Sequence, residues 1–227
     1  TILGKIILDK DTKFYDPDHE NLVSQVSTVK VNGQAHLGNA KNILLIDCGA
    51  KKNIQRAFLK RGVNVITAPW DFDLTTSELK TEIDGIAISN GPGNPKFVIE
   101  TIEIIKKLIS LEIPILGICL GHQLLSLAAG GDTGKLKYGH RSQNQPCLMF
   151  EKGKPTKRCF ITTQNHGFSV TKIPLGFYPW FTNANDESNE GIIHKKLPIM
   201  SVQFHPEATP GPEDTEWIFD YFLKYIK

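Results

Sequence analysis

The sequence predicts an α/β protein of three layers, helices on both faces of a mostly parallel central sheet, with a smaller antiparallel strand region. Three observations carry this. Between residues 41 and 131, short apolar runs alternate with amphipathic stretches of helical period. A glycine-flanked cysteine, Gly117-Ile-Cys119-Leu-Gly121, joins one of those runs directly to a helix. Beyond Gly131 the rhythm changes to short runs separated by turn residues, the pattern of antiparallel strands.

Residues 1–37 stand apart, and the domain division is placed at 1–40 and 41–227. Ile2 to Leu8 reads as a strand, Asp9 to Glu20 is polar and turn-rich, and Asn21 to Val31 holds a short helix and an extended Ser-Thr-Val stretch. The segment reads as a leftover or linker. Asn42 to Asp47 is the short apolar run of a buried parallel strand. Lys52 to Arg61 is a helix, with Ile54, Ala57 and Phe58 on one face and Gly62 as its stop. Val63 to Ala68 and Asp84 to Ser89 are strands, the second running into Asn90-Gly-Pro-Gly-Asn-Pro95. A helix follows over about Phe97 to Leu111, then the strand Pro114 to Ile118, then a helix from the cysteine to Gly130-Gly131. Later strands are placed at 147–150, 158–163, 168–172, 179–183, 191–194 and 199–204. A last helix is placed over Pro212 to Tyr225, with Pro212 at its first position and Trp217, Phe219 and Phe222 buried.

At 227 residues, 40% hydrophobic and 22% charged, the chain can bury a real core. A net charge of +2 with only isolated lysine pairs argues against nucleic acid as the main partner. No stretch is long and apolar enough for a membrane span. The four cysteines show no C-x-x-C spacing, which fits reduced thiols and a cytoplasmic location. The chain begins at Thr1, so a preceding targeting segment or domain is expected.

Cys119 sits where a strained strand-to-helix turn presents a side chain at the end of a sheet, beside the first N–H groups of a helix. Those groups favour a thiolate and an oxyanion, so the pattern proposes acyl transfer through a thioester. A buried structural cysteine is the competing reading. A thiolate needs a base, and the base an orienter. Of seven histidines, His205 is the best placed, ending the run Met200 to Phe204 and followed by Pro206-Glu207. In extended chain His205 and Glu207 face the same way, although a surface pair at a strand end fits the same pattern. His122, one turn past Cys119, packs locally. His166, in a polar loop, is either a loop histidine or a binding residue. Gly91-Pro92-Gly93 is a plain turn or the source of a second oxyanion donor beside Leu120; no phosphate-loop motif is present. No metal is expected, since no histidine–cysteine pair has ligand spacing.

Together, Ser89-Asn-Gly-Pro-Gly93, Gly117-Ile-Cys-Leu-Gly-His-Gln123 and Gln203-Phe-His-Pro-Glu207 resemble the triad-type (class I) glutamine amidotransferases, in their order and over about Lys41 to the C-terminus. Within that group Asp47 to Arg56, Tyr138 to Pro146, Thr163 to Phe168, Asn183 to Gly191 and Phe204 to Pro212 resemble the small subunit of carbamoyl-phosphate synthetase. The resemblance implies a flavodoxin-like fold and hydrolysis of L-glutamine to glutamate and ammonia. The ammonia would pass to a large synthetase subunit, where ATP and Mg2+ are expected; no cofactor is expected in this chain. By motif, Cys119 would be the nucleophile, His205 the base and Glu207 its orienter. Leu120 and Gly93 would supply the oxyanion hole, with Gly91 shaping that loop. Gln123, Asn165, Gly167 and Phe168 would join them in binding the substrate. Asn94 stands where the family usually has Asp, and His140 and Ser142 fall in a variable segment and receive no role. Residues 1–40 resemble the tail of an N-terminal domain and its linker. Two alternatives remain: a non-catalytic regulatory or scaffold module of a synthetase, and a related elbow enzyme such as a γ-glutamyl hydrolase or an amidotransferase serving another pathway.

Overall fold

The computed structural model describes residues 3–34 and 40–226. Its frame is five parallel strands: β2 (Asn42–Asp47), β3 (Asn64–Pro69), β4 (Gly85–Ile88), β5 (Ile115–Ile118) and β10 (Ile199–Val202), in the order β3-β2-β4-β5-β10. The apolar runs form strands because they bury on both faces. In β2, Leu44 and Ile46 point into one core and Ile43 and Leu45 into the other. The first core is closed by α3 (Ile99–Ile109) and α4 (Leu120–Ala128) through Ile104, Ile105, Leu108, Leu124 and Leu125. The second is closed by α2 (Lys52–Leu59) and α5 (Trp217–Leu223) through Ile54, Phe58, Phe219 and Phe222. Arg61, just past α2, ties the two helices, its Nη2 2.8 Å from Asp220 Oδ2. The three layers expected from the sequence are present.

Several expectations need correction. The antiparallel region does not lie against the sheet but continues it. Strand β9 (Asn189–His194) pairs antiparallel with β10, and β7 (Lys154–Lys172), β6 (Asp132–Glu151) and β8 (Phe177–Asn183) follow in order. Strand β8 also pairs with β9, so these four strands close on themselves. Strands β6 and β7 are much longer than the runs read at 147–150, 158–163 and 168–172. Register shifts at Lys135/His140, Ser142/Gln145 and Leu148/Phe150 break the alternation by which a strand is recognised. His166 therefore lies in a strand rather than a loop.

Residues 3–8 are not a strand: Ile6 and Leu8 are 87% and 86% exposed, and an apolar run without a pairing edge gains nothing from extension. Among the described residues before Lys41, two elements attach to the rest of the fold. Val23, in the short helix α1 (Val23–Val26), is fully buried in the first core, and β1 (Asn32–Gln34) pairs antiparallel with β3 at the sheet edge. The last helix begins at Trp217, not Pro212. Residues 213–216 turn instead, with Glu216 N–H donating to Glu213 O, while Asp214 Oδ2 accepts from Ile161 N at 3.3 Å on β7. Trp217 itself is only partly buried. No helix among the described residues is long and apolar enough to cross a membrane.

Candidate active site

Cys119 occupies the turn between β5 and α4 with φ 54° and ψ −103°, a left-sided backbone that non-glycine residues rarely adopt. The chain accepts it because the surroundings leave no alternative. Cys119 N–H donates to Val202 O at 2.8 Å, and Gly121 N–H to Ser89 O at 3.0 Å. A Cβ on Gly121 would stand 2.2 Å from Ile88 O, and one on Gly117 2.6 Å from Gly121 O. Two glycines thus let α4 begin in contact with β4 and β5, and the thiol is aimed past the strand ends. Its residue is only 5% exposed. Burial pushes the Cys48 and Cys147 thiols up, leaving them inert.

His205 follows β10 and is held by its N–H on Thr163 O at 2.9 Å. Its Nδ1 lies 2.7 Å from Glu207 Oε1. The pair is brought together by a turn at Pro206-Glu207 and not by extended chain; Ala208 N–H closes it on His205 O at 3.2 Å. Burial works against charge on His205, but contact with Cys119 and the Glu207 carboxylate outweighs it and raises the imidazole to about 10. Burial would raise Glu207, yet His205 and then Lys51 hold it below its ordinary value. Lys51 Nζ is 3.1 Å from Glu207 Oε1 and donates to Ala208 O at 2.7 Å. Asn53 Nδ2 donates to the Glu207 carbonyl. An imidazole set between a thiol and a buried carboxylate is placed to take the thiol proton and leave sulfur free to attack an acyl carbon.

The residues singled out from the sequence converge. Gly91, Gly93, Cys119, Leu120, Gln123, Asn165, Gly167, Phe168 and His205 all line one cleft of about 730 Å³, and Glu207 stands behind His205. Among the described residues, no protein acceptor takes the N–H of Gly93 or of Leu120, so both remain available to a ligand oxygen. Gln123 is more committed than expected. Its Nε2 donates to Phe168 O and to Gln203 Oε1, both at 2.9 Å, which leaves its carbonyl for a ligand. Three contributors were missed in the sequence. Gln203 Nε2 donates to Cys119 Sγ at 3.7 Å, Lys51 braces Glu207, and Arg141 brings a guanidinium to the cleft wall. Only Lys51 had a local signal, as a cation just after a strand end; the others depend on pairings across the sheet.

His166, on the cleft wall, and His140 and Glu190 behind it bring three ligand-type atoms within 4.8 Å of one another. They come from three strands, so linear spacing could not reveal them. His140 does not suit a metal: its Nδ1 faces Gln164 Oε1 at 2.7 Å and its Nε2 faces Asp186 Oδ2 at 2.8 Å, so both nitrogens carry hydrogens. Glu190 and Asp186 raise it to about 9 despite its burial.

His122 and His166 are more deeply buried, and burial lowers them to about 3 and about 4, although His166 Nε2 stands 3.8 Å from Glu190 Oε1. His122 shares its Nδ1 with Ser201 Oγ at 2.9 Å. An unfolded chain takes up these protons near about pH 6.5, whereas the folded chain resists them until far lower pH. Protons therefore favour the unfolded state through that window, and stability should fall as pH drops from about 6.5 to about 4. Glu190, raised by burial to about 7, runs the other way but is one group against two. Urea midpoints measured across this range should decline, and His122→Asn should flatten the decline.

A cysteine on a strained strand-to-helix turn, an imidazole–carboxylate pair and free N–H groups in one cleft define an α/β protein with a nucleophile elbow. The profile of the glutamine amidotransferase class-I family matches residues 44–225, and the chain belongs to that family. It is 47% identical over 99% of its length to the carbamoyl phosphate synthase arginine-specific small chain of Saccharomyces cerevisiae, covering 56% of that protein. It is 43% identical over its whole length to the mitochondrial carbamoyl-phosphate synthase (ammonia) of Homo sapiens, covering 15% of it. The chain thus spans about half of one relative and a small part of the other. A crystal structure of a glutamine amidotransferase from Thermotoga maritima shares the fold, with TM-score 0.60, 19% identity, and coverage of 81% of this chain and 83% of that one.

Proposed function

We propose that this chain is the glutamine-hydrolysing component of a carbamoyl-phosphate synthase. The observation that carries the reading is Cys119 at a positive φ, in contact with a His205 that Glu207 holds in place, at the edge of a cleft with free N–H groups. In this reading His205 takes the Cys119 proton, and the thiolate attacks the side-chain amide carbon of glutamine. The negative oxygen of the tetrahedral adduct is received by the N–H groups of Leu120 and Gly93. His205 returns the proton to nitrogen, ammonia leaves and a γ-glutamyl thioester remains. Water then attacks, with His205 as base, and releases glutamate and free thiol. Glu207 keeps the imidazole oriented and stabilises its charged form.

Gln123, Asn165, Gly167 and Phe168, with Gly91 shaping the loop, would hold the amino acid end of the substrate. Fixed contacts to a zwitterion choose glutamine over asparagine, because one methylene carries the amide away from sulfur. The ammonia would pass to a large synthetase subunit or domain, where ATP and Mg2+ would act, and this chain would need no cofactor of its own. The relatives named above support that partner by their names, and the human one adds a contrast. Its name specifies ammonia, so kinship alone does not settle the nitrogen source; the complete Cys119–His205–Glu207 set speaks for glutamine. A cytoplasmic location, and residues 1–40 as the tail and linker of a preceding domain with β1 attached to this sheet, belong to the same reading.

The test is direct. Incubation with glutamine should release ammonia and glutamate one to one, and acid quenching should trap a γ-glutamyl adduct on Cys119 by mass spectrometry. Absence of both products, or an adduct elsewhere, would refute the reading. Co-purification with a synthetase should raise the rate.

A further inference from the structure

The hydrogen bonds that hold the cleft wall continue behind it. Phe168 O accepts twice, from His166 Nδ1 at 2.8 Å and from Gln123 Nε2 at 2.9 Å. Gln123 also donates to Gln203, which in turn reaches the Cys119 sulfur. On the far side His140 stands edge-on to His166, with ring centroids 4.8 Å apart and planes at 76°, directly opposite it in the β6–β7 register. Gln164 Oε1 lies between the two rings, 2.7 Å from His140 Nδ1 and 3.1 Å from His166 Nε2. Glu190 Oε1 is 3.3 Å from His140 Nδ1, and Asp186 Oδ2 is 2.8 Å from its Nε2. The Glu190 side chain is fully buried, and its backbone oxygen takes the N–H of Gln203 at 2.9 Å.

We infer that Glu190, His140 and Asp186 form a positioning network for the substrate segment Asn165–Phe168, fixing how glutamine is held without touching the reacting atoms. The inference rests on the glutaminase reading and deepens it. A buried carboxylate facing an imidazolium has few alternative geometries, because either charge left alone loses both hydration and partner. The network joins β6, β7 and β9, and it ends on the Phe168 carbonyl and, through Gln203, beside the nucleophile. Loosening it would let the segment that holds the zwitterion drift relative to sulfur, while the contacts of His205 with Glu207 and Cys119 stay in place. The two hydrophobic cores do not contain these residues.

Kinetics and labelling of Glu190→Gln, His140→Gln and Asp186→Asn test this. Glutamine KM should rise about tenfold in the first two and about threefold in Asp186→Asn, with kcat within about threefold of the parent. Labelling of Cys119 by a diazoketone analogue of glutamine should slow in proportion. Labelling by iodoacetamide, which needs only the thiol and its base, should stay within about twofold. Asp186 is half-exposed, so its variant keeps the test open should the buried variants not fold. Unchanged KM in the folded variants would overturn the inference. So would iodoacetamide labelling that falls in step with the analogue, which marks general loss of structure. Stoichiometric zinc held by the parent and lost in Glu190→Gln would also overturn it, by putting a metal where the imidazolium is required. A parent chain that releases no ammonia from glutamine refutes the glutaminase reading and this inference with it. An active parent matched by its variants removes this inference alone.

Discussion

Cys119→Ser should lower ammonia release from glutamine by at least about 10³-fold while leaving the unfolding midpoint nearly unchanged. Serine is close in size to cysteine, and the substitution keeps the residue at φ 54° with its N–H on Val202 O at 2.8 Å, so the elbow survives. What changes is the nucleophile. A hydroxyl beside His205 is a far weaker acid than a thiol, so the charged pair favoured by contact between Cys119 and His205 does not form. His205→Asn should be nearly as damaging, and the double variant little worse than either, because thiol and imidazole act as one unit. Release of ammonia from glutamine at the parent rate by Cys119→Ser would eliminate the thioester route. The paired control is glutamine binding, read as protection of Asn165–Phe168 from hydrogen exchange, which should persist in the serine variant.

The parts of this site that could be read from sequence are those whose geometry is local. Gly117 and Gly121 straddle Cys119, and their spacing alone announces a helix starting in contact with a strand. His205 and Glu207 are two residues apart, and although a turn and not extended chain brings them together, nearness in sequence was enough. Parallel strands were legible for a related reason: burial on both faces turns Asn42–Asp47 and Ile115–Ile118 into unbroken apolar runs. The antiparallel half was not. Bulges in β6 and β7 shift the side-chain phase several times, so Lys135 to Gln145 shows no alternation. The same shifts hid His140, which received no role, and Arg141, since each acquires its surroundings from segments distant in the chain. Gln203 stood inside a recognised motif, but nothing local says that its amide points at sulfur. Pro212 shows the opposite failure: helix-start chemistry was present, but the chain was still turning after Gly211 at φ 130°.

Gly121→Ala should severely damage the fold, costing about 3–5 kcal/mol and with it most of the accessible thiol chemistry. The added methyl would sit 2.2 Å from Ile88 O, 2.8 Å from Ile88 C and 3.0 Å from Ile88 Cβ. Neither side can yield cheaply. Ile88 lies in β4, which is flanked by β2 and β5 in the middle of the sheet, and Gly121 N–H is bonded to Ser89 O at 3.0 Å. Relief requires α4 to lift from the sheet, which breaks that bond and pulls Leu124 and Leu125 from the first core. Gly62→Ala is the informative comparison. Gly62 has φ +76° but nothing within 4 Å of the position its Cβ would take, so only backbone strain of about 1–2 kcal/mol applies. Thermal midpoints should therefore separate the pair by several degrees. Iodoacetamide labelling of Cys119 should fall only in Gly121→Ala, because lifting α4 carries the thiol away from His205. Equal midpoints would mean that contact with Ile88 does not set the elbow, and that the strained backbone of Cys119 is sustained by its own hydrogen bond to Val202 alone.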